Sequence, residues 1–314
     1  MKFRELKGTG LKVSPVSLGT WVFSGEPWGE ADDIDSINVV REAVDRGVNF
    51  IDTAPVYGEG RAENVIGKAV KGLREKVFIA TKCGLKIAGK SMKIDLSPES
   101  IREDIEMSLK RLGVETIDLY QCHWPDKNTP IEATIAEMKK LVSEGKVRHV
   151  GVSNFNSILM EEAVKILPGV TEQVRYSVFD REIEREILPV CIGRNISILA
   201  YGSLGGGILS GKYKSQPVFS RSDVRSFFYK YYSHTLWDKY SKMVSVIDGV
   251  AKNRGCASSE VAINWVLNHG EVATCIVGCR DQHQLRENLD SLNWSLTETE
   301  LGVIEEAYKK IFVF

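Results

Sequence analysis

The chain has 314 residues, of which 43% are hydrophobic and 26% charged, and its formal net charge is −1. This balance gives no electrostatic basis for binding nucleic acid or an anionic membrane, since either partner normally requires a basic face. No apolar run approaches the roughly 20 residues of a membrane span, and the polar start of the chain lacks the core of a signal peptide, so we expect a cytoplasmic protein.

The predicted elements begin with a short hairpin, in which FREL and LKVS flank a glycine-bearing turn at residues 7–10. Short apolar runs then recur at residues 16–20, 49–53, 77–82, 117–123, 147–153, 171–177, 196–202 and 273–279. Segments with helical periodicity lie between them, such as SPESIREDIEMSLKRLG, which begins with a cap and stops at glycine. Strands that are apolar on both faces and alternate with amphipathic helices predict a parallel sheet, and eight such units can close. We therefore predict a single α/β domain over residues 1–314, a (β/α)8 TIM barrel with an N-terminal β-hairpin.

Two long connections interrupt this alternation, at residues 83–98 after the third strand and at 212–240 after the seventh. Both lie on the side of the barrel where functional loops are found. The second is rich in aromatic and basic residues, which fits a self-packed excursion and a flap over the substrate equally well.

The six cysteines are scattered without a repeated C-x-x-C spacing, which indicates reduced thiols in a core. Cys275 and Cys279 are close in sequence, but no histidine stands at ligand spacing, so we expect no metal site.

Polar side chains follow three consecutive predicted strands. Asp52 closes the second strand and Tyr57 lies on its loop, whereas Lys82 and His123 close the third and fourth strands. Because the carboxyl ends of barrel strands meet at one mouth, these four side chains are expected to face one point.

Each of the four has an alternative explanation. Asp52 and Lys82 fit a structural ion pair, Tyr57 fits a cap on the barrel, and His123 fits a hydrogen-bonded core histidine. Together they form a coherent set for proton transfer, because a phenol with a pKa near 10 needs help to exchange a proton at neutral pH. Lys82 would tune Tyr57, Asp52 would hold Lys82 charged, and His123 would orient the oxygen that receives the proton.

Several spaced motifs carry a resemblance to a known family. NFIDTAPVYGEGRAENVIG, TKCG, YQCHWPD, VGVSNF and AYGSLGGGILSGKY resemble, in order and over essentially the whole chain, the aldo-keto reductase superfamily. The pattern is most similar to bacterial or archaeal reductases near the potassium-channel β subunits. The resemblance implies an NADP(H)-dependent oxidoreductase whose catalytic tetrad falls on Asp52, Tyr57, Lys82 and His123.

The same resemblance implies a set of cofactor-binding residues. Ser153, Asn154 and Gln173 would hold the nicotinamide carboxamide, and Tyr201 would stack on its ring. The remaining positions along the nicotinamide and pyrophosphate are Gly19, Thr20, Trp21, Asp52, Gly202, Ser203, Leu204, Gly207 and Lys212.

At the adenosine end, Gly278 and Arg280 would approach a 2′-phosphate, and Gln284 and Asn288 would line the adenine pocket. Many relatives carry a further basic residue where Gln284 stands, which leaves Arg280 as the strong cation. A guanidinium matches phosphate, so we expect NADP(H) rather than NAD(H). The alternative is that Arg280 caps the start of a helix and that NADH is used.

The substrate is expected to be a small carbonyl compound or alcohol. Trp21, Phe23, Trp28 and Trp124, with Tyr57, would surround the mouth with aromatic surface, although aromatics there also fit rim packing. The favoured activity is reduction of aldehydes and ketones with Tyr57 as general acid. The alternatives are a sugar dehydrogenase working mainly in the oxidative direction and a non-metabolic NADP(H)-binding regulatory subunit. We expect a monomer or a weak homo-oligomer.

Overall fold

The computed structural model describes residues 1–89 and 91–313, and these form a closed barrel of eight parallel strands. Going around it, the barrel strands are β3 (Val16–Gly19), β4 (Phe50–Asp52), β5 (Phe78–Cys83), β8 (Ile117–Cys122), β9 (Val147–Ser153), β10 (Thr171–Arg175), β11 (Ile198–Tyr201) and β12 (Val272–Gly278). Each strand coincides with one of the apolar runs, and β12 pairs with β3 to close the ring. The predicted (β/α)8 barrel is therefore confirmed.

Helices alternate with the barrel strands, and most of them cover the outer face of the barrel. They are α1 (Asp33–Asp45), α2 (Arg61–Ala69), α3 (Pro98–Leu112), α4 (Ile131–Ser143), α5 (Ser157–Ile166), α6 (Ile183–Arg194), α7 (Val224–Phe227), α8 (Trp237–Arg254), α9 (Ser258–Leu267), α10 (Gln282–Asp290) and α11 (Glu298–Tyr308). Helix α3 shows why the boundaries were predictable. The hydroxyl of Ser97 accepts from the amide of Ser100, Pro98 occupies the first turn, and Gly113 ends the helix in the left-handed region.

The hairpin of β1 (Arg4–Leu6) and β2 (Leu11–Val13) closes the lower end of the barrel, where the strands begin. Leu6 and Val13 are fully buried and pack with Phe50, Leu119 and Leu199, which point inward from the barrel strands. Because successive side chains of a strand alternate between faces, Asp52 shares the inward face with Phe50 but lies nearer the mouth. The barrel interior is thus apolar at its floor and polar at its mouth.

The two long connections adopt different structures. Residues 84–97 contain a second hairpin, β6 (Leu85–Ala88) and β7 (Ser91–Ile94), which sequence reasoning treated only as a loop. Residues 212–240, called the aromatic segment below, are tied to the N-terminal part of the mouth, where the amide of Val224 donates to the carbonyl of Pro27 at 2.9 Å. Its side chains also pack on one another, with Tyr231 fully buried, which fits the predicted self-packing, and a role as a flap over the substrate stays a prediction.

All six cysteines are free thiols. Within residues 1–89 and 91–313, no cluster of three or more histidine, cysteine or acidic side chains has the arrangement of a metal site. None of the helices in these ranges combines the length and the apolar content needed to cross a bilayer.

Candidate active site

The centre of the mouth is an ion pair between Asp52 and Lys82, which end neighbouring strands. Lys82 Nζ lies 2.7 Å from Asp52 Oδ1 and donates to the carbonyl oxygen of Thr53 at 2.9 Å. Both charged side chains are buried, with Lys82 fully inaccessible. Burial lowers the pKa of Lys82, and the charge of Asp52 opposes that effect. The pair is therefore a buried ion pair that lies at the mouth, and its part in proton transfer stays a prediction.

Tyr57 lies above this pair on the loop that follows β4. Lys82 Nζ donates to its hydroxyl at 3.5 Å and sits 5.2 Å from the centre of its ring. Burial raises the pKa of Tyr57 well above its ordinary value, and the negative charge of Asp52 adds to the effect. Sequence reasoning expected Lys82 to tune Tyr57 through its positive charge, and the ammonium lies at hydrogen-bond distance from the hydroxyl, so this role stays a prediction. A protonated phenol at this place can donate a hydrogen bond or a proton to an oxygen in the mouth.

His123 contributes a neutral imidazole to the same point. Its ring lies edge-on to Tyr57, with 6.0 Å between the ring centres, and its amide donates to the carbonyl of Cys83 at 3.0 Å. Burial lowers the pKa of His123 well below its ordinary value, and the positive charge of Lys82 lowers it further. A neutral imidazole at this place can donate one hydrogen bond to an oxygen without adding a charge.

Two amide side chains support Asp52 from the far side of the barrel. Gln173 Nε2 donates to Asp52 Oδ2 at 2.7 Å, and Gln121 Nε2 donates to the same oxygen at 3.4 Å. Gln121 was missed by sequence reasoning. The available signal was its position as a polar residue in an apolar strand, paired in register with Lys82. The carboxylate thus has donors on both oxygens, which fixes its orientation.

Ser153, Asn154 and Tyr201 form a hydrogen-bonded chain beside this centre. The hydroxyl of Tyr201 donates to Asn154 Oδ1 at 2.9 Å, and Asn154 Nδ2 donates to Ser153 Oγ at 3.0 Å and to the carbonyl of His123 at 3.1 Å. Ser153 Oγ in turn donates to the carbonyl of Gln173 at 2.8 Å. Asn154 has a φ of 60°, a conformation that asparagine tolerates better than most residues. The residues expected to bind a carboxamide therefore lie together.

A glycine loop follows β11 and offers backbone groups to a ligand. Gly202, Gly205, Gly206 and Gly207 all have positive φ values between 55° and 96°, which side chains would strain. A Cβ on Gly207 would lie 3.3 Å from Lys212 Nζ, so the predicted pyrophosphate loop and its lysine are adjacent. The amides of Gly205 and Gly207 donate to the carbonyls of Gly202 and Leu204 within the loop, so the predicted diphosphate contact depends on Lys212 and on the remaining backbone of the loop.

Ser203 and Leu204 belong to the same loop but differ in exposure. Ser203 is buried, and its Oγ accepts from Cys275 Sγ at 2.9 Å, so its side chain faces β12 rather than the mouth. Leu204 is half-buried. The side chain of Ser203 is therefore not placed to contact a ligand at the mouth.

The predicted adenosine end lies at the start of α10. Arg280 is exposed and donates to the carbonyl of Trp28, and its own amide donates to Gln284 Oε1 at 3.1 Å. The helix is capped by Asp281, whose Oδ1 accepts from the amide of Gln284 at 2.8 Å. Because Asp281 supplies the cap, Arg280 is not needed for that role.

The other two residues of this end differ in exposure, since Asn288 is buried whereas Gly278 is exposed. Asn288 is buried, and its amide donates to Cys279 Sγ at 3.2 Å, so its side chain is turned away from the surface. Gly278 ends β12, and a Cβ there would lie 3.1 Å from Val22. Gly278 therefore lets the start of α10 approach the loop after β3.

The loop after β3 forms one wall of the mouth. Both the amide and the hydroxyl of Thr20 donate to the carbonyl of Asp52 at 3.0 Å, while a Cβ on Gly19 would collide with Ile276. Trp21 is half-buried and stacks on Tyr57 with 5.9 Å between ring centres. This wall places an aromatic face directly beside the predicted proton donor.

The remaining aromatic residues of the expected substrate pocket differ in how accessible they are from the mouth. Trp28 is buried and packs edge-on against Trp21 at 5.3 Å, and Trp124 is half-buried directly after His123. Phe23 is only 1% exposed and packs in the core, so the structure does not bring it to an accessible wall. Sequence reasoning missed Phe228 of the aromatic segment, whose ring lies 5.2 Å from Trp21.

Comparisons with known proteins cover nearly the whole barrel. The sequence model of the Aldo/keto reductase family matches residues 15–309. Aldo-keto reductase YhdN of Bacillus subtilis (strain 168) is 37% identical over 299 residues, which cover 94% of this chain and 90% of that protein. The NADH-specific methylglyoxal reductase of Escherichia coli (strain K12) is 33% identical over 328 residues, which cover 98% of each.

A solved structure gives the same result for the fold. The glycerol dehydrogenase AKR11B4 from Gluconobacter oxydans matches with a TM-score of 0.90 and 37% sequence identity, over 99% of this chain and 96% of that one. The similarity therefore extends through every barrel strand, including those that carry Asp52 and Lys82.

Proposed function

The chain belongs to the aldo/keto reductase family, and from that premise we propose that it catalyses the reversible, NADPH-dependent reduction of aldehydes and ketones to alcohols. The observation that carries the proposal is the protonated hydroxyl of Tyr57, 3.5 Å from a lysine that is itself paired with Asp52. A protonated acid beside neutral His123 suits the donation of a proton to a carbonyl oxygen.

The cofactor supplies a hydride to the carbonyl carbon when it is bound. Tyr57 would donate its proton to the carbonyl oxygen, and His123 would orient that oxygen through a hydrogen bond. Lys82 remains charged because of Asp52 and stabilises the negative charge that Tyr57 acquires as the proton leaves. Trp21, stacked beside Tyr57, would exclude water from the reacting atoms.

Several features support a nicotinamide dinucleotide as the hydride donor. The linked side chains of Ser153, Asn154 and Gln173 would hold the carboxamide, and Tyr201 would contact the ring. The glycine loop with Lys212 would hold the diphosphate, and Gly278, Arg280 and Gln284 would surround the adenosine, with Asn288 supporting this end from the core.

We propose NADPH over NADH because Arg280 is exposed and is not the cap of α10. The Escherichia coli relative is named as NADH-specific, so this choice needs a direct measurement. The test is kcat/KM for the two cofactors at a fixed aldehyde concentration. A clear preference for NADH would overturn the assignment.

The oxidative direction is the second candidate, and one comparison favours it, because the Gluconobacter oxydans relative is named a glycerol dehydrogenase. The same residues serve this direction, with Tyr57 accepting the proton of the alcohol. Small polyols are therefore included in the substrate panel.

The proposed activity is tested by the change in reduced-nicotinamide absorbance. The purified protein is given NADPH or NADH with aldehydes and ketones, including methylglyoxal, and NADP⁺ or NAD⁺ with polyols such as glycerol and with aldoses. We expect turnover in both directions, faster for carbonyl reduction. Tight cofactor binding without turnover of any compound would overturn the proposal in favour of a regulatory subunit.

A further inference from the structure

Arg175 is a charged residue at the mouth that the proposed mechanism does not use. It ends β10 two positions after Gln173, so both side chains point into the barrel. Its guanidinium carbon lies 4.3 Å from the ring centre of Phe228 and 5.9 Å from that of Tyr201. A Cβ on Gly202 would lie 3.3 Å from Arg175 Cγ, so the stem runs directly beneath the glycine loop.

The guanidinium has no carboxylate partner among the described residues. Its Nε is buried without a hydrogen-bond acceptor, and no acidic side chain in residues 1–89 and 91–313 lies within ion-pair distance. Asp180 is the nearby acid whose charge acts on it, but Asp180 accepts from the hydroxyls of Tyr231 and Ser177 instead. An unpaired, partly buried cation costs free energy, which a bound anion would offset.

Other arginines that stack on aromatic rings in the described chain are paired. Arg181 binds Glu184 and Glu305. Arg225 binds Asp223 and Arg254 binds Glu300, each while contacting a ring at a distance similar to that of Arg175. Stacking alone therefore does not account for the arrangement of Arg175, because in this protein it normally accompanies an ion pair.

A continuous row of rings connects Arg175 with Tyr57. Phe228, which contacts the guanidinium, lies 5.2 Å from Trp21, and Trp21 lies 5.9 Å from Tyr57. The charge of Lys82 is compensated by Asp52, and His123 is neutral, so Arg175 supplies positive charge on this wall that forms no ion pair with a described acid.

We propose that Arg175 binds the carboxylate or phosphate of the carbonyl substrate, which makes short anionic aldehydes and ketones the preferred substrate class. The proposal rests on the proposed carbonyl reduction. A guanidinium recognises both anions through two parallel hydrogen bonds, and the aromatic rings around it strengthen them by excluding water. The diphosphate of the cofactor is the other source of the same chemistry, and the experiment separates the two.

The experiment compares matched substrates on wild type, Arg175→Met and Arg175→Lys. Each pair consists of an anionic compound and an uncharged one. The first pair is 4-oxobutanoate and butanal, and the second is glyceraldehyde 3-phosphate and glyceraldehyde. NADPH affinity is measured separately by fluorescence titration. Anion binding in the absence of turnover is measured as the change that butanoate causes in the melting temperature of the NADP⁺-saturated protein. Arg254→Met, which removes a stacked arginine outside the barrel strands, is the matched control.

We expect wild type to favour at least one anionic member by about tenfold to a hundredfold in kcat/KM. Arg175→Met should abolish that preference through KM, with butanal kinetics and NADPH affinity nearly unchanged, and Arg175→Lys should restore part of it. An unchanged ratio would overturn the proposal, as would an equal loss for all substrates together with weaker NADPH binding, which would assign Arg175 to the diphosphate.

The assay also separates this inference from the proposed function. If wild type reduces no compound, the proposed function fails, and the butanoate measurement still decides on the anion site. Loss of the butanoate effect in Arg175→Met alone would support the site, and its persistence would refute it.

Discussion

The mouth of the barrel has two regions that are built differently. On the proton-transfer side, Asp52, Lys82 and Gln173 are buried and hydrogen-bonded to one another at the ends of strands. On the predicted adenosine side, Arg280 and Gln284 are exposed at the start of α10, and the guanidinium of Arg280 donates to the carbonyl of Trp28. The first region is fixed by mutual contacts, whereas the second is a surface onto which a ligand can be fitted.

This difference predicts how each region responds to mutation. Removing one member of a buried network leaves its partners unsatisfied in a low-dielectric environment, so the loss spreads to stability. Removing an exposed cation changes only the interaction with its ligand, because water solvates the vacated partners. The following predictions test this contrast from the largest expected effect to the smallest.

Tyr57→Phe should lower kcat for carbonyl reduction by roughly 10²- to 10⁴-fold, the usual contribution of a positioned general acid. Cofactor affinity should change little, because the ring and its stacking on Trp21 are kept. Steady-state kinetics and a fluorescence titration measure the two quantities. The matched control is Tyr120→Phe, which removes a buried hydroxyl that contacts Ile101 on the outer side of β8. Retained turnover in Tyr57→Phe would refute the assignment.

Lys82→Met should lower the free energy of unfolding by about 3–5 kcal/mol, because Asp52 is left as an uncompensated buried charge. Denaturant-induced unfolding measures this loss. The double variant Asp52→Asn/Lys82→Met should recover a substantial part of it, since neither charge remains. A Lys82→Met protein as stable as wild type would show that the pair does not hold this region together.

Arg280→Gln should raise the KM for NADPH by about tenfold and leave the KM for NADH within about twofold, because an exposed charge-assisted bond to phosphate contributes of the order of 1–2 kcal/mol. Arg286→Gln is the control, since Arg286 lies on α10, which begins two residues after Arg280, but pairs with Glu42. If both cofactors are affected equally, Arg280 does not recognise the 2′-phosphate.

The smallest effect is expected from pH on the reductive direction. Burial keeps the pKa of Tyr57 well above its ordinary value and that of His123 well below its own, so we expect neither group to titrate in the range around neutral pH. Reductive kcat should therefore be level across this range. Oxidation requires Tyr57 without its proton, so its rate should increase with pH. An inflection in reductive kcat near the ordinary pKa of histidine would contradict a neutral His123.

Sequence periodicity predicted the barrel and the position of the four central residues for one reason. Apolar strands alternate visibly with capped helices, and a polar residue at the end of such a strand must face the mouth. Asp52, Lys82 and His123 needed no further information. Contacts that depend on the packing of loops were not predictable in this way.

Three residues illustrate that limit. Phe228 belongs to the aromatic segment, and its contact with Trp21 depends on how that segment folds over the mouth. Phe23 lies in a short helical turn, so strand alternation gave no indication that it would be fully buried. Asn288 is directed to Cys279 by the rotation of α10, which a sequence pattern constrains only within a broad angle.

The N-terminal hairpin has a consequence for the kinetics of ligand exchange. Leu6 and Val13 fill the lower end of the barrel together with Phe50 and Leu119, so the described chain offers the reacting centre access from above. Substrate and product would then use the same opening of the barrel as the nucleotide. Whichever ligand binds deeper in the barrel must therefore bind first and leave last. Because the hairpin closes the opposite end of the barrel, we expect the ligands to bind in a fixed order. Product-inhibition patterns would show that order.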